Sequence, residues 1–182
     1  WRVVARNGNR VAVGDLNRTN HSDLVPFHAV QVLPGTFSVE ASFRRLGLKG
    51  NSPTLFAADR DGKHLAIIHV WADRADMVAI EQVGVRQNFN DNAHGLGDLA
   101  GVDKWFGLKL VIDTVGRQVT GYARGGDGDW VRLNETPLPY YDSEAKGTEI
   151  FLGIGSRKHD DGASNVLEMD DIQVMQLTIE GN

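Results

Sequence analysis

The chain has no cysteine. Disulfides, thiolate catalysis and cysteine-type zinc sites are excluded together. It also has no run of eighteen apolar residues, so no segment reads as a membrane-spanning helix. An excess of positive charge is missing: 19 Lys and Arg stand against 24 Asp and Glu, a formal net charge of −5. A general nucleic-acid binder needs a basic surface to neutralise phosphates, so that class is excluded. The six histidines show no His-x-x-x-His spacing, which argues against zinc. No Gly-x-Ser-x-Gly elbow, phosphate loop or dinucleotide fingerprint occurs. Helical periodicity is missing too, because no window of about eleven or more residues keeps a 3.6-residue apolar stripe. Proline is scarce at 5 residues while glycine is plentiful at 21, a balance that predicts tight turns between short strands.

What is present fits one soluble domain over residues 1–182, with 41% hydrophobic and 24% charged residues and enough length to bury a core. The chain opens Trp1-Arg2-Val3 without an initiating methionine. That start reads as a mature or trimmed domain, compatible with a removed export signal and an extracellular or periplasmic location.

Strict two-residue alternation is the dominant pattern. In 36–45, Phe37, Val39, Ala41 and Phe43 alternate with Ser38, Glu40, Ser42 and Arg44. In 105–113, Phe106, Leu108, Leu110 and Ile112 alternate with Trp105, Gly107, Lys109 and Val111. A turn at Val115-Gly116 then leads into a strand in which Thr120 and Tyr122 alternate with Val119, Gly121 and Ala123. The loop Gly125 to Asp129 turns the chain into Trp130-Val131-Arg132-Leu133. Asp59-Arg60-Asp61-Gly62 joins strands 55–58 and 64–71 in a hairpin, since Asp-Gly between apolar runs is a strong turn signal. Further strands are expected at 11–13, 27–32, 77–85 (with a bulge near Glu81-Gln82), 149–155 and 166–179. Asn88 to Gly101 reads as a long loop, and 143–146 as at most one helical turn. About a dozen strands with almost no helix imply an all-β, two-sheet antiparallel sandwich.

Taken together, Phe37-Ser-Val-Glu-Ala-Ser-Phe-Arg44, Asn51-Ser52, Trp105 to Asp113, Val119-Thr-Gly-Tyr-Ala123 and Met169-Asp-Asp-Ile-Gln-Val174 resemble the concanavalin A-like lectin/glucanase superfamily. The resemblance covers nearly the whole chain and implies a jelly-roll sandwich with one concave and one convex sheet. Such domains serve as carbohydrate-binding modules, glycoside hydrolases, polysaccharide lyases and adhesion modules, so the fold alone does not choose among them.

With the core side assigned as above, alternation places Glu40, Arg44, Lys109 and Tyr122 outward. His69 and Trp71 join them if Ile68 and Val70 point inward, although Leu65 and Ile67 share the parity of His69. Aromatic rings beside charged hydrogen-bonding groups suit a polysaccharide or oligosaccharide, whose C–H faces stack on rings while its hydroxyls need fixed partners. The resemblance puts that ligand on the concave sheet, with the 88–101 loop as a wall. The plainer alternative is a solvated sheet face with ordinary cross-strand pairs.

Two enzymatic readings belong to the same superfamily. A glycoside hydrolase of this type carries Glu-x-Asp-x-x-Glu on one strand, and Glu168-Met-Asp170-Asp171-Ile172-Gln173 lacks the last glutamate. Glu40 and Glu81 are a second carboxylate pair that could meet across strands. A lyase acting on an acidic polysaccharide would take Arg44, His69 and Tyr122, which follow the order of the arginine, histidine and tyrosine of alginate-type lyases, with Gln82 or Gln87 as the amide. The glutamine usual two residues before that histidine is Ile67 here. For metal, Asp170 and Asp171 resemble the place where such sandwiches hold a structural Ca2+, with Asp15, Asn17 or Asp23 of the first polar loop as a further ligand. The alternative is a strand entry with solvated acids.

Overall fold

The computed structural model describes residues 2–6, 9–15, 25–31, 34–46, 51–70, 77–82, 85–90, 103–147, 149–158 and 166–177. These residues form strands and turns, with no helix among them. The strands are β1 (Arg2–Arg6), β2 (Asn9–Asp15), β3 (Val25–Gln31), β4 (Thr36–Leu46), β5 (Asn51–Asp59), β6 (His64–Val70) and β7 (Met77–Gln82). They continue with β8 (Val85–Asn90), β9 (Trp105–Asp113), β10 (Gln118–Gly125), β11 (Val131–Arg132), β12 (Leu138–Pro139), β13 (Glu149–Lys158) and β14 (Val166–Leu177).

Two antiparallel sheets result. One runs β1-β2-β14-β4-β9-β10-β11, with β12 also pairing β10; the other runs β3-β13-β5-β6-β7-β8. Hydrophobic alternation explains how they close on each other. Phe37, Val39, Ala41 and Phe43 of β4 and Phe106, Leu108, Leu110 and Ile112 of β9 are all buried. They share one core with Leu55 and Ala57 of β5, Leu65, Ile68 and Val70 of β6, and Ile150 of β13. Phe43 and Phe106 are register partners, and their rings stack at 5.8 Å. Each such buried ring contributes about 1.5–3 kcal/mol over an exposed one.

Three local expectations need correction. The strand expected at 77–85 is a hairpin, β7 and β8, whose register from Met77↔Asn90 to Gln82↔Val85 is regular, without the expected bulge. The strand β8 also extends to Asn90, into the stretch read as a loop. Register breaks fall instead at Ala57/Ala58, at Leu152/Gly153 in the β13–β3 ladder, and at Asp170/Gln173. The first of these explains the mixed parity of β6: Leu65 and Ile68 both enter the core although they sit three residues apart.

Candidate functional site

The outer face of the eight-stranded sheet collects four of the six sequence-predicted contacts. One register row crosses it as Gln173–Glu40–Lys109–Tyr122–Arg132. The rows on either side are Asp170–Ser42–Gly107–Arg124 and Met175–Ser38–Val111–Thr120. A third row pairs Glu168, Arg44 and Trp105. The inward neighbours of these residues fill the core, so the two-residue period alone turns the polar set outward.

Glu40 and Lys109 form an ion pair at 3.2 Å, with both side chains mostly covered. The approach lacks hydrogen-bond angles, and Glu40 Oε2 has no hydrogen-bond partner. Two further buried polar atoms share that condition, Ser38 Oγ and Arg124 Nε. All three belong to this outer face. Buried polar groups are paired in the great majority of cases, so three orphans on one face require an explanation.

Trp130 supplies the aromatic surface. Its indole sits 4.5 Å from the Arg124 guanidinium and 5.4 Å from Lys109 Nζ. Gly107 makes the arrangement possible: a Cβ there would lie 2.8 Å from both Trp130 Cη2 and Arg124 Nε. The missing side chain lets ring and guanidinium settle on the sheet, a recognised use of glycine inside a strand. Neither Trp105 nor Trp130 is among the contacts expected from the sequence. The available signal was Gly107, a gap in the middle of an outward row, near in space to the aromatic that follows the 125–129 turn.

Arg44 is on the same sheet but otherwise engaged. It bonds the fully buried Glu168 through Nε at 2.8 Å and stacks over Trp105 at 5.1 Å. Its strand neighbour on β9 is Trp105, four residues from Lys109 and hence about 13 Å from the Tyr122 row.

His69 is not part of this face. Its backbone pairs with Thr54 of β5 and Ala79 of β7, in the six-stranded sheet on the other side of the core. Arg44, His69 and Tyr122 therefore do not converge, and the proposed lyase trio is overturned. Glu40 and Glu81 are likewise on different sheets and form no carboxylate pair. The Glu168 string is no acid pair either, since Glu168 is buried against Arg44. Trp71 and residues 91–101 lie outside the described residues.

Asp15 and Asp170 do not share one shell, and Asn17 and Asp23 lie outside the described residues. Asp15 pairs with Val166, four residues before Asp170 on β14 and so about 13 Å away along the strand. Asp170 Oδ1 accepts the N–H of Asp171, which occupies the bulge at φ 52°. Among the described residues no group of three or more His, Asp or Glu is arranged to hold a metal ion.

The opposite outer face carries a different feature, an open slot of about 390 Å³ lined by Phe56, Ala58, Asp59, Arg60, Gly62, His64 and Phe151. Asp59 braces its end. The carboxylate accepts N–H groups of Asp61 and Lys63 at 2.9 Å each and of Lys146 at 2.7 Å. Burial pushes the Asp59 carboxyl up, but these donors and the Lys146 charge outweigh it and hold it below its usual value.

No protein-family model matches the sequence, and no curated protein matches it. Solved structures do match in fold. The catalytic domain of a GH131 β-glucanase from Podospora anserina superposes with a TM-score of 0.56 at 12% identity, over 93% of this chain and 72% of that one. Lectin I-B4 from Griffonia simplicifolia, in its metal-free form, gives 0.59 at 10% identity, over 97% and 91%. A xylan β-1,4-xylosidase from Bacillus halodurans gives 0.57 at 15% identity, over 94% of this chain and 33% of that one, so this chain spans a third of the xylosidase's length. The chain has the concanavalin A-like jelly-roll fold, an all-β sandwich of two antiparallel sheets.

Proposed function

We propose that the chain is a glycan-binding domain, exported and lectin-like or accessory to other activities, and that the Glu40–Lys109–Tyr122 row with Trp130 holds the sugar. One observation carries this reading: three buried polar atoms without a hydrogen-bond partner, on Ser38, on Arg124 and on the Glu40 carboxylate that Lys109 ion-pairs, share a face with a partly exposed indole. A carbohydrate satisfies both needs, because its C–H face stacks on an aromatic ring and its hydroxyls both donate and accept. Glu40 accepts, Arg124 Nε donates, and the Ser38 hydroxyl does either. These atoms are buried, so the ligand reaches them when flexible neighbours such as the ion-paired Lys109 side chain move aside. The fold relatives support the reading in general terms, since they are a β-glucanase, a lectin and a xylosidase. Among the described residues, the acids and the lyase trio named from the sequence do not converge, so the binding reading is the one carried forward.

The test is retention on affinity gels containing alginate, xylan or β-glucan. The unmodified chain is retarded by at least one gel, Trp130→Ala loses that retardation, and its melting temperature changes little. Equal retardation of Trp130→Ala, or none of the unmodified chain on any gel, overturns the proposal.

A further inference from the structure

The slot on the outer face of the six-stranded sheet is built by residues that the first site does not use. A register row places Phe151, Ala58 and His64 side by side on β13, β5 and β6. Ala58 is the small floor between two ring-bearing neighbours, whose backbones stand two strand spacings apart, about 9.5 Å. Phe56 stands one row behind and the 59–62 turn closes the front.

The walls are fixed before any ligand arrives. Phe56 lies flat on β13, where a Cβ on Gly153 would come within 1.9 Å of its Cζ. His64 meets Phe56 edge-on at 5.6 Å and Tyr141 edge-on at 6.1 Å. Tyr141 and Asp142 donate backbone N–H groups to Leu65 and His64 carbonyls at 2.9 and 2.8 Å, which ties this aromatic ladder to β6. The turn is held by the three N–H groups on Asp59. Phe151 is partly exposed.

We propose that this slot is a second carbohydrate site, shaped for a single pyranose unit lying between Phe151 and His64 over Ala58. Its volume falls at the small end of ligand pockets. The lining is mostly apolar and aromatic, and Asp59, Arg60 and His64 are the polar residues that border it. A pyranose matches that division, with apolar C–H faces and a hydroxylated edge. A wholly apolar ligand leaves the polar rim unused. Preformed walls mean that binding costs little ordering. The site is on the opposite side of the core from Trp130, so either site stands without the other.

The experiment is an amide NMR titration of the intact chain with methyl β-glucopyranoside, methyl β-xylopyranoside, methyl α-mannopyranoside and methyl α-galactopyranosiduronate. At least one glycoside shifts the signals of Ala58, Gly62, His64 and Phe151 saturably. Those shifts vanish in Phe151→Ala and in Ala58→Leu, whose added carbons enter the slot rather than the core, and they persist in Trp130→Ala. Absence of shifts with all four glycosides, their survival in Ala58→Leu, or binding of indole there without any glycoside overturns the proposal.

Discussion

Arg44 and Glu168 face each other across β4 and β14, and both Nε and Nη2 of the guanidinium bond the same carboxylate oxygen, Oε2. Glu168 is wholly buried, whereas a quarter of the Arg44 side chain is exposed. Removing one partner of a buried pair strands the other in a poor medium for charge. Arg44→Met is therefore expected to lower stability by about 3 kcal/mol in urea unfolding. Correctly folded Arg44→Met should keep its polysaccharide retention, because the side chain works inside the protein. Loss of retention with unchanged stability would return Arg44 to the ligand.

Glycines 107 and 153 each give way to an aromatic ring, at very different cost. An added Cβ meets Trp130 and Arg124 at 2.8 Å in one case and Phe56 Cζ at 1.9 Å in the other. Gly107→Ala should lose about 1–3 kcal/mol and displace the indole, changing its near-ultraviolet circular dichroism. Gly153→Ala should lose more, because the added Cβ falls within 1.9 Å of Phe56 Cζ and 2.1 Å of its Cε1, so the whole ring must shift. Gly62→Ala is the control. Nothing lies within 4 Å of its Cβ, and only its φ of +77° resists, at about 1 kcal/mol. Reversal of this order in urea unfolding contradicts the packing described.

Asp59 ties the β5–β6 turn to the segment around Lys146. Asp59→Asn should cost about 1–3 kcal/mol, since one amide group cannot accept all three N–H bonds. The sign with pH follows from the lowered carboxyl. The folded state binds this proton more weakly than the unfolded state, whose ordinary value is 3.8. The contribution is present above that value and is lost as pH falls through the folded one. The gap between the native chain and Asp59→Asn in urea midpoints should therefore narrow between neutral pH and about pH 3.

Tyr140 reports the opposite limb. Burial pushes its phenol up to about 12, helped by Asp113 and opposed by the Arg117 charge over its ring. Its hydroxyl donates to the Asp113 carbonyl at 3.3 Å. A group raised in the folded state contributes fully below its unfolded value of 10 and loses that contribution as pH rises toward 12. Tyr140→Phe should cost about 1 kcal/mol at neutral pH and flatten the alkaline fall in stability. A spectrophotometric titration in which all tyrosines ionise near 10 would contradict the burial.

Much of the architecture was legible in the sequence because Phe37, Val39, Ala41 and Phe43 of β4 and Phe106, Leu108, Leu110 and Ile112 of β9 keep the period of two. Asp59 to Gly62 announced its turn by residue type, and Tyr122 faces outward as parity requires. Parity stops there, however: it assigns a side within a strand and never says which sheet the strand joins. That is why His69 was grouped with Arg44 and Tyr122 although the core separates them. Asp15 and Asp170 were grouped because their strands are adjacent, which they are, but the register sets them four residues apart. Trp130 was missed because its role depends on Gly107, and a vacancy carries no periodic signal.

The position of β14 has a consequence for how the molecule assembles. This strand lies between β2 and β4, and the Arg44–Glu168 contact spans 124 residues. During synthesis the early hairpin β1–β2 and the long strand β4 emerge with nothing between them, and they wait for the strand that joins them. Maturation should accordingly be slow and all-or-none, with chaperones sheltering two unzipped edges until β14 slides into the gap.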